Sequence, residues 1–237
     1  VTSEIPHTID DTVREIITSD HLPTATVYVV DDEEAVRESI ARMAQANGWI
    51  TKTYSSAESF LEEEYSDGPG CIVTDVRMPG MSGTQMQEKL AAQKSTLPII
   101  FLTRHGELDT AVKAFKNGAV DFLLKPVEAT TLLPLISKAV TRHAHTLSKT
   151  QQHQKATSLL EQLSAREREV LQHVLRGRLN KQIAADLGVV EKTIKVHRAH
   201  IMQKMGIHSV AELVHLCELA GLSAEQNISE TVGITAE

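Results

Sequence analysis

Five short apolar runs recur across residues 26–125, with stretches of helical period between them. The runs are TVYVV (26–30), WITKTY (49–54), CIVTDV (71–76), PIIFLT (98–103) and DFLLK (121–125). Between them, Ala35, Ile40, Met43 and Ala44, and again Ala111, Val112, Phe115 and Ala119, keep helical spacing. Strands alternating with helices imply an α/β domain whose parallel sheet is covered on both faces. A doubly wound sheet of this kind places its ligands beyond the carboxyl ends of its strands. The polar residues that close the runs are therefore the ones to read for chemistry.

Asp31 and Asp32 follow the first run, Asp75 closes the body of the third, Thr103 ends the fourth and Lys125 ends the fifth. In a parallel sheet all of them converge on one edge. Three carboxylates at such close quarters repel one another unless a cation sits among them. A hard divalent ion with oxygen ligands and retained waters, Mg²⁺, fits that donor set. A carboxylate beside it can attack a phosphoryl group and form an acyl phosphate. Lys125 would offer a point charge to the phosphoryl oxygens, and Thr103 a hydroxyl donor.

The text around these positions resembles the receiver domain of bacterial two-component response regulators. The matching segments are VYVVDDEEAVRES, VTDVRMPGMSG, IIFLTRHGE and GAVDFLLKP. The resemblance implies a flavodoxin-like five-stranded fold, with Asp75 as the phospho-acceptor. It implies Mg²⁺ held by the carboxylates of Asp32 and Asp75 and the main-chain carbonyl of Arg77, with Asp31 acting through water. It makes Thr103 and Phe122 the switch pair, and Lys125 the lysine that precedes a commonly cis proline, Pro126. A sensor histidine kinase would be the phosphoryl donor. One position departs from the pattern: Arg104 stands where receivers usually have Ala or Gly.

The chain carries a net charge of −7, unevenly spread. Residues 23–129 are net −6, while residues 130–157 are net +4 and residues 158–221 net +2. An acidic front and a basic back imply different partners for the two halves. The back half has no strand pattern. Ser164-Ala-Arg-Glu167 is a capping box, Asn180 is placed to cap KQIAADL, and Gly188 separates that helix from EKTIKVHRAHIMQKM (191–205). Helix, glycine turn and basic helix is the pattern of a helix-turn-helix.

Residues 163–221 resemble the LuxR-type helix-turn-helix of the NarL/FixJ family, and with the receiver in front the FixJ-like branch is the nearest pattern. The resemblance implies base contacts from Lys195 and Val196, with His197, Arg198 and Ala199 on nearby turns. Asn180, Lys181, Lys192, Thr193 and Lys204 are its candidate phosphate contacts. Val190, at the start of the basic helix, replaces the usual Ser or Thr and has no oxygen with which to cap. Ala211, Val214, His215 and Ala220 are candidate dimer-facing residues on the last helix.

These readings divide the chain into an N-terminal extension (1–22) with a possible short helix, a receiver core (23–130), a last receiver helix running into an exposed helical linker (131–163), a four-helix DNA-binding domain (164–221) and a disordered tail (222–237). Histidines 143, 145 and 153 are expected to be solvated in the linker, and Cys71 and Cys217 to be core thiols. No apolar run approaches the ~20 residues that span a bilayer, and a cytoplasmic protein is expected. The expected function is phosphorylation-controlled binding of double-stranded promoter DNA. Homodimerisation would accompany activation, and RNA polymerase would be the partner of an activator. The alternative is a DNA-binding regulator that ignores phosphate because its receiver is impaired. An Asp-nucleophile phosphohydrolase would need a carboxylate two residues after Asp75, where Arg77 stands, so no enzyme is expected.

Overall fold

The structure, a computed structural model, describes residues 25–63, 68–104 and 118–222. Two compact units divide the chain, and the division falls between Ser148 and Lys149. The helical spacing at 8–17, the residues Ala111, Val112 and Phe115, and the tail beyond Leu222 lie outside the described residues.

The first unit is built on five parallel strands, β1 (Thr26–Val30), β2 (Ile50–Tyr54), β3 (Gly70–Asp75), β4 (Ile99–Thr103) and β5 (Asp121–Leu124), in the order β2-β1-β3-β4-β5. Register sets Val30 opposite Thr74 and Thr103 opposite Leu124, so the carboxyl ends of β1, β3, β4 and β5 form one edge. The connecting helices are α1 (Glu34–Ala46), α2 (Ala57–Leu61) and α3 (Gly83–Ala92). Side chains alternate between two apolar layers, as the period of a strand requires. Tyr28, Val30, Ile72 and Phe101 pack against Phe60, Met86 and Leu90 on one face. Val27, Val29, Cys71, Val73, Ile100 and Leu102 pack against Ile40, Ala44, Leu132, Ile136 and Ala139 on the other. β1, β3 and β4 are buried throughout, which is why they read as continuous apolar runs.

A single long helix, α4 (Ala129–Glu161), begins in the first unit and ends in the second. Pro134 lies early within it. Its start supplies Leu132, Ile136 and Ala139 to the sheet-covering layer, and its end supplies Ala156, Leu159 and Leu160 to the core of the second unit. The linker is helical, as expected, but partly buried rather than exposed. Two of the three histidines expected in solvent are engaged. His143 is buried, its Nδ1 accepting the Gly70 N–H at 3.0 Å and its Nε2 3.1 Å from the Thr96 hydroxyl. His153 donates from Nδ1 to the Leu219 carbonyl at 2.9 Å. The polar sequence hid both partners, because each lies far away along the chain.

The second unit adds α5 (Ala165–Leu175), α6 (Asn180–Asp186), α7 (Glu191–Met205) and α8 (Val210–Leu219). Ser164 and Glu167 form the expected capping box. The helices close on a core of Val170, Leu171, Ile183, Ile194, Ile201, Leu213 and Leu216. Leu222, the first residue of the expected tail, is buried in this core. Both cysteines of the chain are buried, Cys71 in β3 and Cys217 in α8, and burial pushes each thiol up to about 12.

Candidate functional site

At the carboxyl edge of the sheet the chain brings its polar residues together. Asp31 follows β1 and turns inward, where its Oδ1 accepts the Glu33 N–H at 2.9 Å. Arg37 of α1 donates to the Asp31 carbonyl at 2.6 Å, fixing the turn from the helix side. Asp75 closes β3, and its Oδ1 accepts the Arg77 N–H at 3.0 Å. The second oxygen of Asp75 meets the Lys125 ammonium. Lys125 sits one residue beyond β5, where its own N–H reaches the Thr103 carbonyl at 2.7 Å, and the bond to Pro126 is cis.

Lys125 Nζ also lies 2.7 Å from Asp31 Oδ2 and 3.2 Å from Glu33 Oε1. One ammonium thus faces three carboxylates, and negative charge remains in excess. Burial pushes the Asp31 carboxyl above its ordinary range, and the charges of Asp75 and Asp32 add to that against the pull of Lys125. Asp31, Asp32 and Asp75 each present an oxygen within 4.8 Å of the others. Asp31 and Asp75 are buried and Asp32 is exposed. An all-oxygen set with one member open to water has the chemistry for a hard divalent cation.

A cavity of about 290 Å³ opens above these groups, lined by Asp32, Glu33, Asp75, Arg77, Thr103 and Arg104. Thr103 is buried at its wall. Phe122 is half-buried in β5, its ring 6.0 Å from that of Phe101 and tilted by 38°. Arg104 reaches across the cavity to the Glu33 carboxylate. Of these, Glu33 is the functional-site residue that strand-end reasoning passed over. Its signal is its place directly after the Asp pair at the sheet edge. A second overlooked carboxylate is Glu58, which accepts the Met81 N–H at 2.8 Å and holds the loop after β3.

In the second unit, α7 exposes Lys192, Lys195 and Val196, and half-buries Thr193, His197 and Arg198. Lys195 pairs with Glu191 at 3.1 Å on the surface, a weak contact that a stronger anion displaces. Val190 is the N-cap of α7 and makes no side-chain cap bond. The cap of α6 is Leu179, not Asn180, which is its first helical residue. Gln182 takes over at that end by accepting the Leu179 N–H at 2.9 Å. Lys181 is exposed beside it.

Lys204 stands apart from the other basic residues. Its ammonium lies 2.7 Å from Glu167 Oε2 and 3.3 Å from the Gln162 carbonyl. Burial opposes the charge on Glu167, but Lys204 and the backbone and hydroxyl of Ser164 outweigh it and hold the carboxyl down at about 2. Lys204 is thus tied to the capping box of α5, with its side chain 40% exposed.

Residues 27–137 match the response regulator receiver domain, and residues 161–217 match the LuxR family of bacterial regulatory proteins. The response regulator protein TmoT of Ectopseudomonas mendocina is 42% identical over 194 residues, which cover 82% of this chain and 88% of TmoT. The transcriptional regulatory protein FixJ of Rhizobium meliloti (strain 1021) is 42% identical over 196 residues, covering 83% of this chain and 96% of FixJ. Among solved structures, the response regulator StyR superposes with a TM-score of 0.78 at 42% identity, over 83% of this chain and 99% of StyR.

A receiver sheet with its acidic pocket, joined to a LuxR-type helix-turn-helix, defines a response regulator: a phosphorylation-controlled, DNA-binding transcription regulator. Within that class the chain belongs to the NarL/FixJ family. Among the described residues, no helix is long and apolar enough to cross a membrane.

Proposed function

We propose that Asp75 accepts a phosphoryl group from the phosphohistidine of a sensor histidine kinase. An Asp75 carboxylate oxygen bonds to phosphorus as the P–N bond breaks, and the imidazole leaves. The observation that carries this reading is Lys125, which meets both Asp31 and Asp75 at the floor of an otherwise acidic cavity. Lys125 takes the phosphoryl oxygens as the Asp75 carboxylate becomes part of the new acyl phosphate. Asp32, Asp75 and the Arg77 carbonyl, with Asp31 acting through water, would hold Mg²⁺, which supplies positive charge to the phosphoryl oxygens when bound. Thr103 donates its hydroxyl to the phosphoryl group. Phe122 then packs further inward against Phe101, so that the surface around β5 carries the signal.

In the second unit, Lys195 and Val196 read base edges in the major groove. Arg198 supports them from the next turn, and Asn180, Lys181, Lys192 and Thr193 hold phosphates. Phosphorylation promotes a homodimer that binds two half-sites of double-stranded promoter DNA, where it activates transcription by RNA polymerase. The chain acts in the cytoplasm as a switch. It is not an enzyme with turnover.

The test is the intact mass after incubation with Mg²⁺ and acetyl phosphate, wild type beside Asp75→Asn, followed by DNA affinity of each. One phosphoryl adduct on wild type alone, with tighter DNA binding, is the expected result. An adduct that persists on Asp75→Asn would overturn the assignment.

A further inference from the structure

The phospho-acceptor pocket has a roof. Arg104 extends from the end of β4 and Glu33 from the start of α1, and their side chains pair across the cavity mouth. The Arg104 side chain is 63% exposed, while those of Asp75 and Lys125 at the floor are 8% and 7% exposed. Glu33 joins the two levels, because its other oxygen lies 3.2 Å from Lys125 Nζ. A continuous chain of charges, Asp75, Lys125, Glu33 and Arg104, therefore runs from floor to rim.

Building on the assignment of Asp75 as acceptor, we infer that Arg104, tethered by Glu33, is a positioning residue that covers the acceptor and sets the lifetime of its phosphoryl group. Hydrolysis requires a water oxygen to approach phosphorus in line as the bond to Asp75 Oδ breaks, with inorganic phosphate leaving and the water's proton going with it. A guanidinium pinned across the mouth obstructs that line. It never deprotonates, so the cover persists at every working pH. Its planar fork also has donors left over for a phosphoryl oxygen after Glu33 is satisfied. Small donors enter through the same mouth, so the cover slows loading from acetyl phosphate as well as loss to water.

The test compares full-length wild type, Arg104→Gly, Glu33→Gln and the double variant. Loading from acetyl phosphate with Mg²⁺ and decay after donor removal are both read as intact mass over time. Arg104→Gly should load and decay about 3–10-fold faster than wild type, a change of about a kcal/mol in barrier. Glu33→Gln should move in the same direction, and the double variant should match Arg104→Gly alone, because the glutamine amide oxygen can still accept from Lys125 and only the tether to Arg104, already absent, is lost. Melting temperature should stay level, since Arg104 is exposed, which separates covering from folding. Equal lifetimes in wild type and Arg104→Gly, or independent effects that multiply in the double variant, would overturn the cover while leaving Asp75 in place. No adduct on any variant would overturn the acceptor assignment and the cover with it.

Discussion

The carbonyl oxygen of Asp75 lies 2.2 Å from where a β-carbon on Gly83 would stand. The Phe101 ring and the Thr74 hydroxyl are each 3.2 Å from the same point. The Gly83 N–H meanwhile donates to the Val76 carbonyl at 3.0 Å. The first turn of α3 is thus pressed onto the end of β3, at the residue proposed to take the phosphoryl group. Gly83→Ala must push these elements apart, and overpacking of this kind costs about 1–3 kcal/mol. Urea denaturation should show a lower midpoint, and loading of Asp75 from acetyl phosphate should fall with it. A variant with the wild-type midpoint would contradict the close approach.

His143 gives a pH dependence with a definite sign. Burial lowers its pKa from the ordinary 6.5, and protonation would also take away the Nδ1 lone pair that accepts the Gly70 N–H. The folded form keeps the imidazole neutral, so its contribution is whole above 6.5 and is lost as pH falls toward the lower folded value. His143→Gln keeps an acceptor for the Gly70 N–H but cannot titrate. Its unfolding midpoint should change less than that of wild type between about pH 7.5 and 5.5. Parallel curves for the two proteins would exclude the histidine as a source of acid sensitivity.

Glu167 and Lys204 predict a second acid transition, at lower pH. The Glu167 carboxyl is held at about 2 against an ordinary 4.5, so its stabilisation is complete above 4.5 and drains away as pH falls toward 2. Lys204→Met leaves the buried carboxylate without its ammonium and should cost about 1–3 kcal/mol. Thermal unfolding of the two proteins measures this directly. Nonspecific DNA affinity should depend on salt in Lys204→Met as it does in wild type, because that lysine serves the fold.

Lys195 should behave in the opposite way. It is exposed on α7, and its surface pair with Glu191 is easily exchanged. Lys195→Ala should weaken specific binding by about 1–3 kcal/mol at its base pair while leaving the melting temperature unchanged. Fluorescence anisotropy against the site and a scrambled duplex separates the two contributions. Equal loss on both duplexes would make Lys195 a phosphate contact.

The strands and the polar residues that follow them were legible because burial on both faces writes β1, β3 and β4 as apolar runs leading into Asp31, Asp75 and Thr103. The capping box at Ser164 was legible for the same local reason, since both partners lie within one turn. What escaped was nonlocal. His143 sits in a polar stretch, and nothing adjacent marks Gly70 and Thr96 as its partners. Lys204 reads as part of a basic face until Glu167, on another helix, is placed beside it. The cap of α6 was misassigned by one residue because a polar Asn180 looks like a better cap than Leu179. There the Gln182 N–H donates to the Leu179 carbonyl at 2.9 Å, so the donor a cap oxygen would take is already satisfied.

The burial of Cys71 and Cys217 has a practical side. With both thiols shut away and held up at about 12, the folded chain offers maleimide reagents almost no thiolate. A single cysteine introduced at exposed Gln203 would then be the one reactive handle on the molecule. A fluorophore attached there would report the approach of a duplex to α7 without any native residue having to be removed first.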